Sequence, residues 1–207
     1  MADKLDLLKD LGEVYRPPAR RPALVEVPEM AFLMVDGSDD PNTSEEYADA
    51  VEALYAVSYT VKFSVKKGPD GIDFKVMPLE GLWWSDDMTD FLEGRREAWK
   101  WTMMIAQPEV ATPARVEDAI AEAGRKKDLP ALGRFRFDRF HEGLCAQTMH
   151  VGPYSAERPT IEALHGFIAD EGYERRGKHH EIYLGDPRRT APERLRTIIR
   201  QPVEAKG

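Results

Sequence analysis

The feature that most constrains this chain is a segment that occurs twice, 79 positions apart. Residues 100–120 read KWTMMIAQPEVATPARVEDAI, and residues 179–199 read HHEIYLGDPRRTAPERLRTII. The copies share residues at four aligned pairs, which are Pro108 and Pro187, Pro113 and Pro192, Arg115 and Arg194, and Ile120 and Ile199. Repetition of this kind indicates that one structural unit is duplicated. We therefore expect two α+β units that meet at a cleft, which is the usual place for a ligand.

Composition limits the classes of partner. The chain has 207 residues and a net charge of −8, which argues against a general nucleic-acid surface because phosphate binding needs clustered basic residues. Its single cysteine excludes an internal disulfide. The N-terminus, MADKLDLLKD, lacks the apolar core of a signal peptide, and no run approaches the roughly 20 apolar residues that span a bilayer. The sequence predicts a cytoplasmic monomer or small homo-oligomer without nucleic-acid or membrane partners.

Apolar periodicity predicts a strand, a helix, a strand and a terminal helix in each half. In the first half, strands are predicted at about 30–35, 72–84 and 99–105, and helices at about 43–67 and 113–124. The run from Tyr59 to Val65 also alternates as a strand would, but no turn residue interrupts it before Gly68, so we interpret it as helix. In the second half the elements lie at about 135–150, 159–170, 179–184 and 192–199. This order predicts an antiparallel sheet with helices on one face.

The same pattern predicts the boundaries of the two halves. Residues 1–20 form a peripheral segment that ends at a proline pair, and residues 21–203 form the domain. Within it, module one covers about 21–125 and module two about 134–203, and residues 126–133 connect them.

Glu181 is the first candidate for chemistry. Alternation along its strand places His179, Glu181 and Tyr183 on one face. His180, Ile182 and Leu184 lie on the other face, which we take to be the core face. A mid-strand glutamate beside a tyrosine suits a cleft where an acid meets a ligand, although pairing with a nearby arginine on a solvated face explains it equally well. The aligned positions in the first copy, Thr102 and Met104, carry no acid.

Aromatic residues supply a second signal. The four tryptophans lie within residues 83–101, and further aromatic residues precede them in the same half; the candidates for a ligand-stacking wall are Trp83, Trp84, Trp99, Trp101, Tyr59 and Phe63. Burial in a core accounts for some of them, but adjacent tryptophans on a strand face opposite sides, so either Trp83 or Trp84 must face the cleft or solvent. Aromatic faces opposite Glu181 would bind planar rings or cations.

Metal and cofactor chemistry has little support in the sequence. The five histidines form no i, i+4 pair and have no cysteine partner, so we expect no metal site. Cys145 lies in an apolar strand and is interpreted as a buried structural thiol. No phosphate loop or dinucleotide fingerprint occurs, and we expect no cofactor.

Four segments resemble the GyrI-like small-molecule-binding family. They are PLEGLWW at 78–84, WKWTMMIAQPEV at 99–110, MHVGPYSAERPTI at 149–161 and GKHHEIYLGDPRRTAPERLRTIIRQPV at 177–203. The resemblance implies a tandem repeat of β-α-β-β modules around a pseudo-two-fold ligand cleft. It also implies that Glu181, in the final strand of module two by the family's pattern, is the ligand-binding acid, with aromatic walls from both modules.

One stand-alone subfamily, the cyclopropanoid cyclopropyl hydrolases, is especially similar in its aromatic residues. Its members open the cyclopropane of DNA-alkylating natural products inside an aromatic cage. The similarity implies a cage drawn from the tryptophans, Tyr154 and Tyr183, with Glu181 and Tyr183 as catalytic residues. The alternatives are a binding or sensing module without turnover, and a protein-interaction role like that of the gyrase inhibitory protein.

Overall fold

The computed structural model describes residues 4–18, 21–69, 71–86 and 95–207, with the side chain of residue 96 left aside. Contacts between Cα atoms divide the chain into two compact units. Unit 1 is Met1–Asp10, Met30–Leu79 and Trp84–Phe140, and unit 2 is Leu11–Glu29, Glu80–Trp83 and His141–Gly207. None of the helices in these described ranges is both long enough and apolar enough to cross a membrane.

Unit 1 is built on three antiparallel strands with helices packed against them. Its elements in chain order are β1 (Lys4–Leu5), α1 (Leu7–Asp10), β3 (Met30–Ser38), α2 (Glu45–Lys67), β4 (Asp73–Phe74), β6 (Lys100–Gln107), α3 (Pro113–Lys126) and β7 (Phe135–Phe140). The strand order is β6–β3–β7, and β1 forms a separate parallel pair with β4. Helix α2 packs against β3, β6 and α3.

Local sequence explains where the helices of unit 1 begin. The Ser44 side chain accepts a hydrogen bond from the Tyr47 amide at the start of α2, and the Thr112 side chain accepts one from the Arg115 amide at the start of α3. Helix α2 buries Leu54, Val57, Val61 and Val65, which recur every three or four residues. The ambiguous run 59–65 is therefore helical, as predicted.

Unit 2 is built on antiparallel strands with a helix packed across them. Its elements in chain order are β2 (Ala23–Val27), the middle of β5 (Leu79–Trp84), β8 (Gly143–Val151), α4 (Arg158–Asp170), β9 (Tyr173–Arg175), β10 (His179–Tyr183) and β11 (Arg196–Ala205). The strand order is β2–β8–β11–β10–β5, and β9 pairs with the C-terminal end of β11. Leu164 and Ile168 of α4 pack on Ala146, Ile199 and Val203 of the sheet.

The α+β class with helices on an antiparallel sheet is thus confirmed, but the predicted helix at 192–199 is wrong. Residues Pro192–Arg194 form a single 3-10 turn, and Leu195 has extended backbone angles that lead into strand β11. Thr197, Ile198 and Ile199 are all buried, and a run of β-branched residues favours a strand buried on both faces. The predicted strand at 72–84 also divides into two, β4 and β5.

This correction changes which parts of the chain are equivalent. The element orders β3–α2–β5–β6 and β8–α4–β10–β11 match, so β10 corresponds to β5 and β11 to β6. The sequence match at 79 positions instead pairs helix α3 with strand β11, and α3 has no helical counterpart in β11. The predicted modules are continuous ranges of the chain, whereas each compact unit combines several separate ranges. The units therefore do not test the module boundaries, which stay a prediction.

Gly37 of β3 is a position where the fold of unit 1 requires glycine. A Cβ atom built there would lie 2.2 Å from the ring of Trp101, which is fully buried and donates to the Ser38 carbonyl. Gly37→Ala is therefore expected to lower the free energy of unfolding by about 1–3 kcal/mol, the usual cost of overpacking. Urea unfolding would measure it, with Gly133→Ala as the control because nothing lies within 4 Å of a Cβ at Gly133. Equal midpoints for the two variants would contradict the close packing.

Candidate functional site

The candidate site of unit 2 is centred on Glu181 in strand β10. His179 Nε2 donates to Glu181 Oε1 at 3.1 Å, and the Tyr183 hydroxyl donates to Glu181 Oε2 at 2.8 Å. The three residues alternate along the strand, so they share a face as the sequence predicted. Both oxygens of Glu181 therefore accept from residues in the described part of the chain, and a carboxylate oxygen can accept a further hydrogen bond.

Two aromatic side chains contact Tyr183, which donates to this carboxylate. Trp83 Nε1 donates to the Tyr183 hydroxyl at 3.0 Å, and the ring of Tyr154 meets the ring of Tyr183 edge to face, with centroids 5.6 Å apart. Trp83 is 4% exposed, whereas Tyr154 is 39% exposed. Tyr183 therefore lies between a buried tryptophan and a tyrosine that is partly open to solvent.

The environment of Glu181 favours its charged form. Its side chain is 14% exposed. Burial raises the pKa of this carboxyl, but the hydrogen bonds from His179 and Tyr183 and the nearby charge of His179 outweigh burial and hold the pKa below its ordinary value. Glu181 is therefore a fixed anion at neutral pH, suited to hold a cation or to accept a proton from a polarised group.

A second glutamate, Glu157, lies beside Glu181. It precedes helix α4, makes no side-chain cap for that helix, and is 5% exposed. Burial and the negative charge of Glu181 raise the pKa of Glu157 well above its ordinary value, and only Thr197 of β11 opposes the shift. The pKa values of these two neighbouring carboxyl groups are thus shifted in opposite directions, an arrangement common where acid–base chemistry occurs.

The opposite face of β10 carries a buried charge cluster. His180 Nδ1 donates to Glu142 at 2.9 Å, and its Nε2 lies 3.0 Å from Glu80 Oε2. Arg200 Nη1 donates to Glu142 at 3.1 Å, and the Tyr15 hydroxyl donates to Glu80 at 2.6 Å. These five side chains are at most 3% exposed, and we refer to them as the charge cluster.

The charge cluster is self-compensating. Burial raises the pKa of Glu142, but His180 and Arg200 outweigh it and lower that pKa to about 2. Burial lowers the pKa of His180, but Glu142 and Glu80 outweigh it and raise that pKa. The cluster joins β5, β10, β11 and the residue that precedes β8, on the face of β10 opposite Glu181.

The remaining predicted site residues belong to unit 1. Trp101 is fully buried with its indole bonded to Ser38, while Trp84 and Trp99 are partly buried. Tyr59 and Phe63 are 48% and 46% exposed and stack along helix α2. Of the nine predicted residues, unit 2 therefore brings together Trp83, Tyr154, Glu181 and Tyr183.

Sequence reasoning missed Glu157 and the charge cluster. It treated the His180 face as a plain apolar core, although that face also carries Glu80, Glu142 and Arg200. A signal was present, because Glu80 stands inside the apolar run LEGLWW and Arg200 inside TIIRQPV. A charged residue in a buried strand requires a partner, and two of opposite sign predict a buried ion pair or a cluster that contains both.

Comparison with known proteins shows which family the chain resembles in sequence and structure. The family model of the GyrI-like small molecule binding domain matches residues 21–204. A solved structure from Listeria innocua, described as an uncharacterized conserved protein, is 44% identical with a TM-score of 0.86 over 97% of this chain and 100% of that chain. A second structure from Listeria innocua, described as a hydrolase, is 44% identical with a TM-score of 0.84 over 97% and 100% of the two chains.

More distant matches show the fold alone. The C-terminal domain of EcmrR is 14% identical to this chain, with a TM-score of 0.56 over 90% of this chain and 98% of that chain. No curated protein sequence is significantly similar to this chain. The family match covers most of the chain and agrees with the repeated β-α-β-β order. The chain therefore belongs to the GyrI-like small-molecule-binding family.

Proposed function

We propose that this protein binds planar, partly hydrophobic or cationic xenobiotics at the site around Glu181, and hydrolyses strained electrophiles of the cyclopropanoid class there. The observation that carries the proposal is a fixed carboxylate bonded to Tyr183, with Trp83 and Tyr154 arranged around that tyrosine. Aromatic faces bind planar rings by stacking, and a buried carboxylate beside them adds affinity for a cation.

The proposal of hydrolysis rests on a relative and on the chemistry of the residues. A protein described as a hydrolase is 44% identical over nearly the whole of both chains. A cyclopropane fused to a dienone needs little catalysis, because ring opening relieves strain and restores an aromatic ring. The protein would have to position one water molecule and receive one proton, which a carboxylate does as a general base.

The proposed step can be written with its protons accounted for. The oxygen of water bonds to the cyclopropane methylene, the strained C–C bond breaks, and its electron pair passes into the ring to give a phenolate. Glu181 accepts the proton lost by the water. Tyr183 then stabilises the phenolate with a hydrogen bond. In the resting site that hydroxyl donates to Glu181, so it must rotate toward the ligand once Glu181 is protonated and has become a weaker acceptor.

Binding without turnover is the second candidate, and one observation favours it. Both oxygens of Glu181 already accept a hydrogen bond, and these bonds hold its pKa below the ordinary value. A carboxylate with a lowered pKa is a weak base, since catalytic bases work best with a pKa near the operating pH. The same carboxylate remains well suited to holding a cationic ring.

Incubation of the protein with a cyclopropanoid drug tests the two candidates together. We expect tryptophan quenching on binding, a smaller quench in Trp83→Phe, and a product with the mass of the drug plus one water by mass spectrometry. Heat-denatured protein serves as the control for spontaneous opening. Quenching without product above that control would support binding alone, and neither quenching nor product would reject the proposed ligand class.

A further inference from the structure

Two aromatic rings lie side by side on the exposed side of helix α2 in unit 1. Tyr59 and Phe63 are 48% and 46% exposed, and their rings stack with centroids 6.4 Å apart and 26° between the ring planes. Residues four apart in a helix lie on the same face, so the two rings adjoin. Exposed apolar side chains that stand alone need no explanation, but adjoining exposed rings are typical of a binding surface.

The same two residues cause the strand-like alternation of this run. Tyr59, Val61, Phe63 and Val65 alternate in type, and the two valines are at most 1% exposed. Two residues along a helix turn through about 200°, so the valines enter the core while the aromatic side chains point away from it. The core of unit 1 therefore does not need Tyr59 and Phe63, which leaves their rings available for binding.

A groove lies between these rings and helix α3. It has a volume of about 260 Å³, and its lining includes Tyr59, Phe63 and Lys67 of α2 with Glu122 and Lys126 of α3. All of these residues belong to unit 1. Pockets for drug-sized molecules measure roughly 300–1,000 Å³, so this groove suits a smaller ligand of roughly two or three fused rings.

The charged groups of the groove favour an anion. Lys67 Nζ lies 5.8 Å from the centroid of the Phe63 ring, so a cation stands beside the aromatic surface. Lys126 pairs with Glu122. The hydrogen bond from Lys126 and the charges of Lys126, Arg125 and Lys67 outweigh burial and lower the pKa of Glu122. Among these groups one carboxylate faces three cations, in a chain whose net charge is −8.

The hydroxyl groups of Thr60 and Ser64, which also line the groove, are bonded within α2. Thr60 Oγ1 donates to the Ala56 carbonyl at 2.8 Å, and Ser64 Oγ donates to the Val61 carbonyl at 2.9 Å. The charged donors that a ligand meets in the groove are therefore the ammonium groups of its lysines, each of which has three N–H bonds.

We propose that unit 1 carries a second ligand site in this groove, and that it binds a planar aromatic anion such as an aromatic carboxylate. The ligand ring stacks on Tyr59 and Phe63, and its carboxylate meets the ammonium groups of Lys67 and Lys126. The site belongs to a different unit from Glu181 and selects the opposite charge, because a fixed carboxylate repels an anion. It stands whether or not the function proposed for Glu181 is correct.

Anthracene-2-carboxylate and its neutral analogue 2-(hydroxymethyl)anthracene test the site, because they share a ring system and differ in charge. Fluorescence anisotropy of the anthracene ring measures the Kd of each. We expect the anion to bind more tightly and to lose this advantage at high salt, which screens exposed charges. An anion that binds no more tightly than the neutral analogue would overturn the proposal.

Lys67→Gln and Phe63→Ala separate the contribution of charge from that of the ring. Lys67→Gln should raise the Kd of the anion about fivefold and leave that of the neutral analogue unchanged. Phe63→Ala should raise both about tenfold. Lys9→Gln, which removes an exposed cation from α1 of the same unit, is the control for net charge. An equal loss of anion binding in Lys9→Gln and Lys67→Gln would contradict a specific site.

Competition separates this groove from the site of Glu181. An excess of 10-methylacridinium, a planar cation of the kind expected at Glu181, should not displace anthracene-2-carboxylate. Displacement would show that both probes occupy one site and would overturn the proposal. Failure of 10-methylacridinium to bind at all would count against the function proposed for Glu181 and leave the groove in unit 1 supported by its own variants.

A second copy of the chain is the other occupant that an aromatic helix face can have. Sedimentation velocity of wild-type protein and Phe63→Ala distinguishes this case, and circular dichroism establishes that the variant is folded. We expect the two proteins to sediment alike. A wild-type dimer that Phe63→Ala dissociates would assign the face to self-association and overturn the proposal.

Discussion

Glu142→Gln is expected to lower the free energy of unfolding by about 3–5 kcal/mol, the usual cost of removing one partner from a buried ion pair. Glu142 is 3% exposed and accepts from both His180 and Arg200. A glutamine keeps the shape but has one acceptor oxygen and an NH2 group, so one of the two donors would face another donor. The positive charges of His180 and Arg200 would then be opposed by Glu80 alone.

Urea unfolding at neutral pH measures this loss, and Glu162→Gln is its matched control. Glu162 pairs with Arg158 on the surface of α4, with a side chain 63% exposed, so the same substitution there should change stability by less than about 0.5 kcal/mol. Equal unfolding midpoints for the two variants would show that the charge cluster contributes nothing to the fold.

The charge cluster also predicts how stability depends on pH. The folded-state pKa of Glu142 is lowered from 4.5 to about 2, so its contribution is present above pH 4.5 and is lost as pH falls toward 2. The folded-state pKa of His180 is raised above 6.5, so its contribution is complete below pH 6.5 and is lost as pH rises through the raised value. Glu142→Gln should flatten the acid limb of a stability–pH curve.

Glu181→Gln is expected to reduce turnover of a cyclopropanoid by about 10²–10⁴-fold, the usual contribution of a general base. It should also weaken binding of a planar cation by about 10–100-fold, because a charge-assisted contact is replaced by a neutral one. Since the pKa of Glu181 lies below its ordinary value, wild-type cation affinity should hold at neutral pH and fall only on strong acidification.

Glu174→Gln is the control for this substitution, because Glu174 is an exposed glutamate of β9 in the same unit. Circular dichroism and the unfolding midpoint establish that both variants remain folded. Wild-type turnover by Glu181→Gln would remove its role as a base, and loss of cation binding with unchanged turnover would confine Glu181 to recognition.

The sequence predicted much of the fold because its signals are local. Ser44 and Thr112 cap helices where the pattern placed them. The helical spacing of apolar residues in α2 continues through residues 59–65, which also alternate as a strand would. The helix expected at 192–199 failed because sequence similarity to α3 was taken as structural equivalence. Burial of Ile198 and Ile199 within the sheet decides that segment, and burial depends on contacts with β8 and β10 that no local pattern contains.

The site was predicted in part for the same reason. Strand alternation alone placed Glu181 and Tyr183 together, and the structure adds Trp83 and Tyr154 through contacts distant in sequence. Glu157 could not be found in this way, because it lies 24 positions before Glu181 and meets it only when α4 packs on the sheet. The sequence comparison aligned Glu181 with Thr102 of β6, because it used the 79-residue offset. The order of elements instead makes β5, which contains Trp83, the counterpart of β10.

A crystal structure of the protein soaked with 10-methylacridinium tests the central claim most directly. We expect the ring to lie against Tyr154 and Tyr183, with its charged nitrogen facing the carboxylate of Glu181. A ring bound elsewhere, with none of these three residues in contact, would contradict the assignment of this site.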